Sequence, residues 1–219
     1  MVRDESLELK NCDEAVVYII DDDPSVRFAL SNLLRSAGFR VFAFEGTEEF
    51  SRSSRPDIAS CLLLDVRLRG ESGLSFQREV RKQPFHVPII FLTAHGDIEM
   101  SVQAMKEGAI DFLVKPAKDQ RVIEAVVTAL STDADLREAH RNRLELRARY
   151  DLLTPREREV IHRVADGMLN KQIAAALNLS EITIKMHRSS AMRKMETTSV
   201  ADLVRKIERL GGVSELRVA

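Results

Sequence analysis

The sequence predicts an α/β domain built on a five-stranded parallel sheet, followed by a smaller all-α domain. Two patterns and a charge count point there. Over the first 130 residues, short apolar runs rich in β-branched side chains alternate with helix-length segments. Beyond that point the strand signal stops and only helices are legible. Residues 1–130 carry 16 Lys+Arg against 21 Asp+Glu, a balance of −5, while residues 131–219 carry 17 against 13, a balance of +4. A basic excess in the second half suits a polyanionic partner, although an ordinary surface would carry it equally well.

The predicted strands are residues 16–20, 41–44, 61–64, 89–92 and 112–114, each long enough for a buried strand and too short for a helix. Helices are predicted over 24–37, 73–82, 98–107 and 120–130, with stops at Gly38, Pro84 and Gly108 and a helical apolar repeat of Val122, Ile123, Val126, Val127 and Leu130 in the last. Such alternation implies a parallel sheet with helices on both faces, because parallel neighbours require a crossover that is nearly always a right-handed helix. Residues 131–149 are highly charged, with Leu136, Ala139, Leu146 and Leu153 as a loose seam. They read as a helical linker over 131–147, solvated because the seam falls short of the roughly three to four heptads a coiled coil needs.

Composition excludes several classes. The chain is 44% hydrophobic and 31% charged, and no apolar run approaches the roughly 18 residues that span a bilayer. Residues 1–8 are acidic and lack the features of a signal peptide, so a cytoplasmic location is expected. Cys12 and Cys61 show no metal-binding spacing and read as thiols.

Polar residues fall at the carboxyl ends of the predicted strands: Asp21, Asp22 and Asp23 after the first, Asp65 after the third, Thr93 after the fourth and Lys115 after the fifth. In an open α/β sheet with strand order 2-1-3-4-5, ligands bind at that edge, at the switch point between strands one and three. Carboxylates brought together there repel unless a cation intervenes, and an oxygen-only set suits Mg²⁺, with Mn²⁺ as an alternative. An Asp carboxylate beside such an ion can accept a phosphoryl group, while a Lys ammonium neutralises the transferring oxygens. Asp23 and Ser25 are better explained as the cap of the following helix.

Residues 16–130 resemble a receiver domain of the flavodoxin-like (βα)5 type, with Ile19-Ile20-Asp21-Asp22-Asp23, Leu63-Leu64-Asp65-Val66-Arg67, Leu92-Thr93-Ala94 and Lys115-Pro116 in the right order. The resemblance implies phosphorylation at Asp65, with Mg²⁺ held by Asp22, Asp65 and the backbone carbonyl of Arg67, and by Asp21 through water. It further implies that Lys115 and Thr93 assist the transfer, that Thr93 and Phe112 form a switch pair, and that Lys115-Pro116 is cis. Two departures stand out: Arg69 occupies a position usually held by Pro, and Ala117 one often held by Phe.

In the second domain, Thr154-Pro155-Arg156-Glu157 is a strong helix start with a capping-box pattern. Residues 170–177 give a short helix, Asn178-Leu179 a tight turn, and Ser180 caps a longer helix to about residue 195, together a helix-turn-helix. Val200, Leu203, Val204, Ile207 and Leu210 form the stripe of a last helix, largely core and in part suited to a dimer seam, while His187 is assigned no chemistry. From Leu153 onward the chain resembles the LuxR-type domain. By that resemblance Lys185, Met186 and Ser189 approach bases, while Lys171, Thr183 and Arg188 hold phosphates.

The whole chain is thus similar to the NarL/FixJ family of two-component response regulators, nearest to its FixJ-like branch. The boundaries expected are 14–130 for the receiver, 131–147 for the linker and 148–213 for a four-helix DNA-binding domain. The resemblance implies a transcription activator phosphorylated by a sensor histidine kinase. It would dimerise, bind promoter half-sites about 34–36 Å apart or multiples of that, and contact RNA polymerase. It would be no enzyme beyond self-catalysed phosphoryl transfer and dephosphorylation. Two other readings stay open on the residues alone: a constitutive DNA-binding protein with a pseudo-receiver, and a phosphatase of the haloacid dehalogenase type using Asp21.

Overall fold

The computed structural model describes residues 15–82, 87–94 and 97–211, and the chain divides into two compact units, residues 1–137 and 138–219. Cys12 and the expected outer domain limits at 14 and 213 lie outside the described residues.

The first unit contains β1 (Val16–Ile20), α1 (Pro24–Ser36), β2 (Arg40–Phe44), α2 (Thr47–Arg52) and β3 (Ser60–Leu64). There follow β4 (Arg67–Leu68), β5 (Glu71–Ser72), α3 (Gly73–Val80), β6 (Ile89–Thr93), α4 (Ile98–Lys106) and β7 (Asp111–Val114). Helix α5 (Asp119–Asp151) contains the boundary between the units. The main sheet runs β2-β1-β3-β6-β7, every pairing parallel. This is the 2-1-3-4-5 order expected, once β4 and β5 are recognised as a separate two-stranded hairpin.

The central strands are apolar throughout because both faces are covered. Along β1, Val17 and Ile19 join a cluster with Leu34, Leu63 and Val126, while Val16, Tyr18 and Ile20 join another with Phe50, Leu62 and Phe91. Asp23 caps α1, its side chain accepting the Ser25 N–H at 2.8 Å, which holds its carboxyl below the usual range. Helix α2 was not expected. With six residues it spans less than two turns, and the burial of Thr47 and Phe50 forms it rather than any periodicity in sequence.

The solvated-connector reading of the linker needs correction at its start. Asp133 is buried, its carboxylate accepting the N–H of Ser60 at 2.8 Å and pairing with Arg137 at 2.6 Å; Arg137 also reaches Asp57. Residues 133–137 therefore close the amino end of β3, satisfying a buried donor where the ladder begins. Among the seam residues Leu136 is exposed, whereas Leu146 and Leu153 are buried in the core of the second unit.

That second unit adds α6 (Pro155–Ala165), α7 (Asn170–Leu177), α8 (Glu181–Lys194) and α9 (Val200–Arg209). Its core joins Leu146, Tyr150, Ile161, Ile173, Ile184 and Leu203. Thr154 and Glu157 form the expected capping box, and Lys194 of α8 donates to the same Glu157 oxygen at 2.7 Å that accepts the Thr154 N–H. Burial opposes ionisation of Glu157, but hydrogen bonds from Lys194, Ser190 and Thr154 outweigh it and bring its pKa to about 2. Among the described residues no helix is long and apolar enough to cross a membrane.

Two outcomes are expected. Replacing Asp133 by Ala strands the Ser60 N–H and leaves Arg137 with Asp57 alone, so denaturant unfolding of the first unit should show a loss of about 1–3 kcal/mol. Because Glu157 has a folded pKa below its ordinary 4.5, its contribution is complete above pH 4.5 and fades as pH falls toward about 2. The urea-midpoint gap between wild type and Glu157→Gln should therefore be wide at pH 6 and narrow at pH 3.

Candidate functional site

Three backbone hydrogen bonds extend the parallel ladder past the strand ends and fix where the polar side chains begin. Asp21 N–H donates to Phe44 at 3.3 Å, Asp65 N–H to Ile20 at 2.9 Å and Lys115 N–H to Thr93 at 2.8 Å. The residues after β1, β3 and β7 thus sit on one sheet edge, and Asp21, Asp22 and Asp65 offer carboxylate oxygens within 4.8 Å of one another. A cavity of about 610 Å³ opens over them, lined also by Arg67, Arg69, Thr93 and Lys115.

Lys115 bridges two of the carboxylates, its Nζ donating to Asp21 Oδ2 at 2.5 Å and Asp65 Oδ2 at 2.7 Å. Burial alone would lower its pKa, yet these two partners more than compensate and raise it. Burial raises Asp21 as well, against the pull of Lys115. The Arg67 N–H holds the other Asp65 oxygen at 3.0 Å, and Arg27 donates to the Asp21 carbonyl at 2.6 Å. The Lys115–Pro116 peptide is cis, as the resemblance implied.

The donor set fits a hard divalent cation. Its ligands are all carboxylate oxygens, Asp21 and Asp65 are buried and Asp22 half-buried, and the cavity has room for coordinated water. Asp21, Asp22 and Asp65 would hold the ion.

Thr93, buried at the end of β6, lines the same cavity. Phe91 of β6 pairs with Phe112 of β7, their rings 6.1 Å apart, and Thr93 pairs with Val114. With a side-chain period of two, Thr93 and Phe112 lie on the same face of neighbouring strands. Phe112 is half-buried, between core and surface.

In the second unit α7 and α8 meet through Asn178, whose φ of 52° suits a residue that tolerates the left-handed region. Ile184 and Ala191 anchor α8 in the core, leaving Lys185, Met186 and Ser189 exposed on one stripe; Lys171 of α7 is exposed as well. Arg188 donates to Asn170 at 3.0 Å, and the Thr183 hydroxyl lies 2.8 Å from that of the capping Ser180. A depression of about 450 Å³ is lined by Asn170, Lys185, Arg188, Ser189 and Arg193.

Residues 17–127 match the family model of the response regulator receiver domain, and residues 151–207 that of bacterial regulatory proteins of the luxR family. The chain belongs to the response regulators. Nodulation protein W of Bradyrhizobium diazoefficiens is 50% identical over 90% of this chain and 87% of its own. Transcriptional regulatory protein FixJ of the same species is 35% identical over 91% of this chain and 97% of its own. The solved structure of the response regulator StyR is 42% identical, covers 90% of this chain and 99% of its own, and superposes with a TM-score of 0.80. The response regulator is therefore a two-component transcriptional regulator of the NarL/FixJ type, a receiver domain followed by a LuxR-type DNA-binding domain. The phosphatase reading built on Asp21 falls with this assignment.

Asp21, Asp22, Asp65, Arg67, Thr93 and Lys115 thus share one cavity, with Phe112 on the adjoining strand. Sequence reasoning assigned no role to Arg27, Arg69 or Gly73. Arg27 lies on α1 and Arg69 in the turn of the β4–β5 hairpin, so neither directly follows a strand of the main sheet and the edge rule that found the carboxylates does not reach them. Gly73 begins α3 against the Asp65 backbone, and a Cβ there would collide with the Asp65 carbonyl oxygen. The response regulator carrying Gly73→Ala should lose at least about 2 kcal/mol of stability in thermal or denaturant melts.

Proposed function

We propose that this response regulator is switched by phosphorylation of Asp65, and that the phosphorylated protein dimerises and binds promoter DNA through the α7–α8 helix-turn-helix, as an activator. The observation that carries the reading is the Lys115 ammonium held between Asp21 and Asp65 at the mouth of a cavity lined by a third carboxylate and a hydroxyl. One Asp65 oxygen attacks the phosphorus of a phosphohistidine on a sensor histidine kinase. A P–O bond forms as the P–N bond breaks, and the imidazole departs with the electron pair. Lys115, already at hydrogen-bond distance, turns to the transferred oxygens. Asp21, Asp22, Asp65 and the Arg67 carbonyl would hold a divalent cation, Mg²⁺ or Mn²⁺, which would supply further neutralisation of charge on the same oxygens.

The Thr93 hydroxyl then donates to a phosphoryl oxygen, and its inward turn leaves room for the Phe112 ring. The added charge of about −1.5 to −2 needs only to bias two existing arrangements. Ile98, Val102 and Met105 form an exposed apolar stripe on α4, with Val114 exposed on β7. This α4–β7–α5 side of the receiver suits a dimer contact.

On α8 the exposed Lys185, Met186 and Ser189 face base edges, while Lys171, Thr183 and Arg188 hold phosphates. RNA polymerase is the downstream partner, the cytoplasm the site of action, and no turnover is expected beyond self-catalysed phosphoryl transfer and its reversal by water. The receiver is assigned to 14–130, the linker to 131–147 and the DNA-binding domain to 148–213.

Sedimentation and DNA binding of wild type and Asp65→Asn, with Mg²⁺ and with or without beryllofluoride at one salt concentration, test this. Wild type alone should dimerise and gain DNA affinity, by roughly 5- to 150-fold for an ordinary coupling free energy. Equal binding by both proteins, unresponsive to beryllofluoride, would replace the switch by a pseudo-receiver on a constitutive DNA-binding protein.

A further inference from the structure

Lys115 accounts for two of the three clustered carboxylates; the third, Asp22, has a different partner. Arg69 Nε lies 3.3 Å from Asp22 Oδ2, and Arg69 lines the same cavity as Asp65 and Thr93. The two cations are held very differently. The Lys115 side chain is 17% exposed and makes two short contacts, whereas that of Arg69 is 75% exposed and makes a single longer one. An exposed pair of that kind is weak and screened by salt, so Asp22 is the carboxylate whose counter-cation can leave.

The backbone beneath Arg69 is firmly placed. Leu68 pairs with Glu71 across the β4–β5 hairpin, leaving Arg69 and Gly70 as its two-residue turn, and Gly70 takes φ 81°, where glycine is unstrained. The Thr47 hydroxyl donates to the Glu71 carboxylate, tying the hairpin to α2, and the Gly73 N–H donates to Val66 at 2.9 Å. A fixed base and an exposed, weakly paired guanidinium put a movable positive charge at the rim of the phosphoacceptor cavity.

We propose that Arg69 is a further residue of this site that changes partners. It pairs with Asp22 in the unphosphorylated protein, so that Asp22 must release a guanidinium before it can coordinate a divalent cation. Once released, Arg69 pairs with the oxygens of the group on Asp65. Guanidinium suits both roles, being always charged and presenting several donors to carboxylate or phosphoryl oxygens. Lys115 stays between Asp21 and Asp65 while Asp22 exchanges its partner, so in that step the site gives up only one of its two internal cations. The inference rests on the ion-site reading proposed above.

The test is calorimetric titration of the full-length protein with Mg²⁺, then with beryllofluoride at saturating Mg²⁺, for wild type, Arg69→Ala, Arg69→Pro and Asp22→Asn. Pro suits the first position of a turn whose second residue is glycine, so Arg69→Pro removes the guanidinium while preserving the hairpin. Both Arg69 variants should bind Mg²⁺ roughly two- to fivefold more tightly than wild type at low salt, the gap shrinking as salt rises. Both should bind beryllofluoride several-fold more weakly. Mg²⁺ affinities equal to or below wild type, or unchanged beryllofluoride binding, would overturn the proposal. Asp22→Asn separates the two readings: if it loses Mg²⁺ binding while the Arg69 variants match wild type, only the role of Arg69 falls. If Asp22→Asn binds Mg²⁺ as wild type does, the ion site itself is misassigned and Arg69 falls with it.

Discussion

Three carboxylates on one sheet edge are the constraint around which the receiver is arranged. Bringing Asp21, Asp22 and Asp65 within 4.8 Å of one another is unfavourable unless positive charge is brought with them. Lys115 from the far end of β7 does this for two of them, and Arg69 from the hairpin after β3 for the third. The central strands β1, β3 and β6 are buried on both faces, so their register cannot slip without turning an apolar set into the wrong cluster. Charge at the edge is tolerated because the apolar strands behind it hold the geometry.

A site balanced in this way is responsive. Its internal cations are neither absent, which would leave the carboxylates in conflict, nor all buried, which would exclude an external ion. Lys115 is firm and Arg69 is loose, and Asp22 between them is half-buried. A new anionic group on Asp65 would alter every one of these pairings at once. Thr93 and Phe112 lie on the same face of the neighbouring strands β6 and β7.

The second unit solves a different problem, presenting polar side chains on a rigid helix. Ile184 and Ala191 lock α8 into the core, and Lys194 at its far end is held by Glu157 of α6. The exposed stripe of Lys185, Met186 and Ser189 is therefore supported at both ends of the helix.

Most of the fold was legible because its signals are local. Five short apolar runs separated by helix-length segments admit few arrangements, and polar residues immediately after those runs must share an edge if the strands are parallel. Thr154, Ser180 and Asp23 announced their helices through capping chemistry that acts within three residues. Other features depend on partners distant in sequence and left no local trace. Asp133 reads as one charge in a charged linker until it meets Ser60, 73 residues away; α2 exists because Phe50 reaches an aromatic cluster of Tyr18 on β1, Phe44 on β2 and Phe76 on α3. Arg69 reads as a substitution in a loop until a hairpin turn sets it beside Asp22. By itself, the sequence determined the strands and helices, the identity of the edge residues and the helix-turn-helix, because periodicity and caps act over a few residues; the strand order came with the fold type that the sequence resembles. Only the tertiary structure decided which cation neutralises which carboxylate and which linker residues are buried, because charge pairing and desolvation depend on distances between segments far apart along the chain.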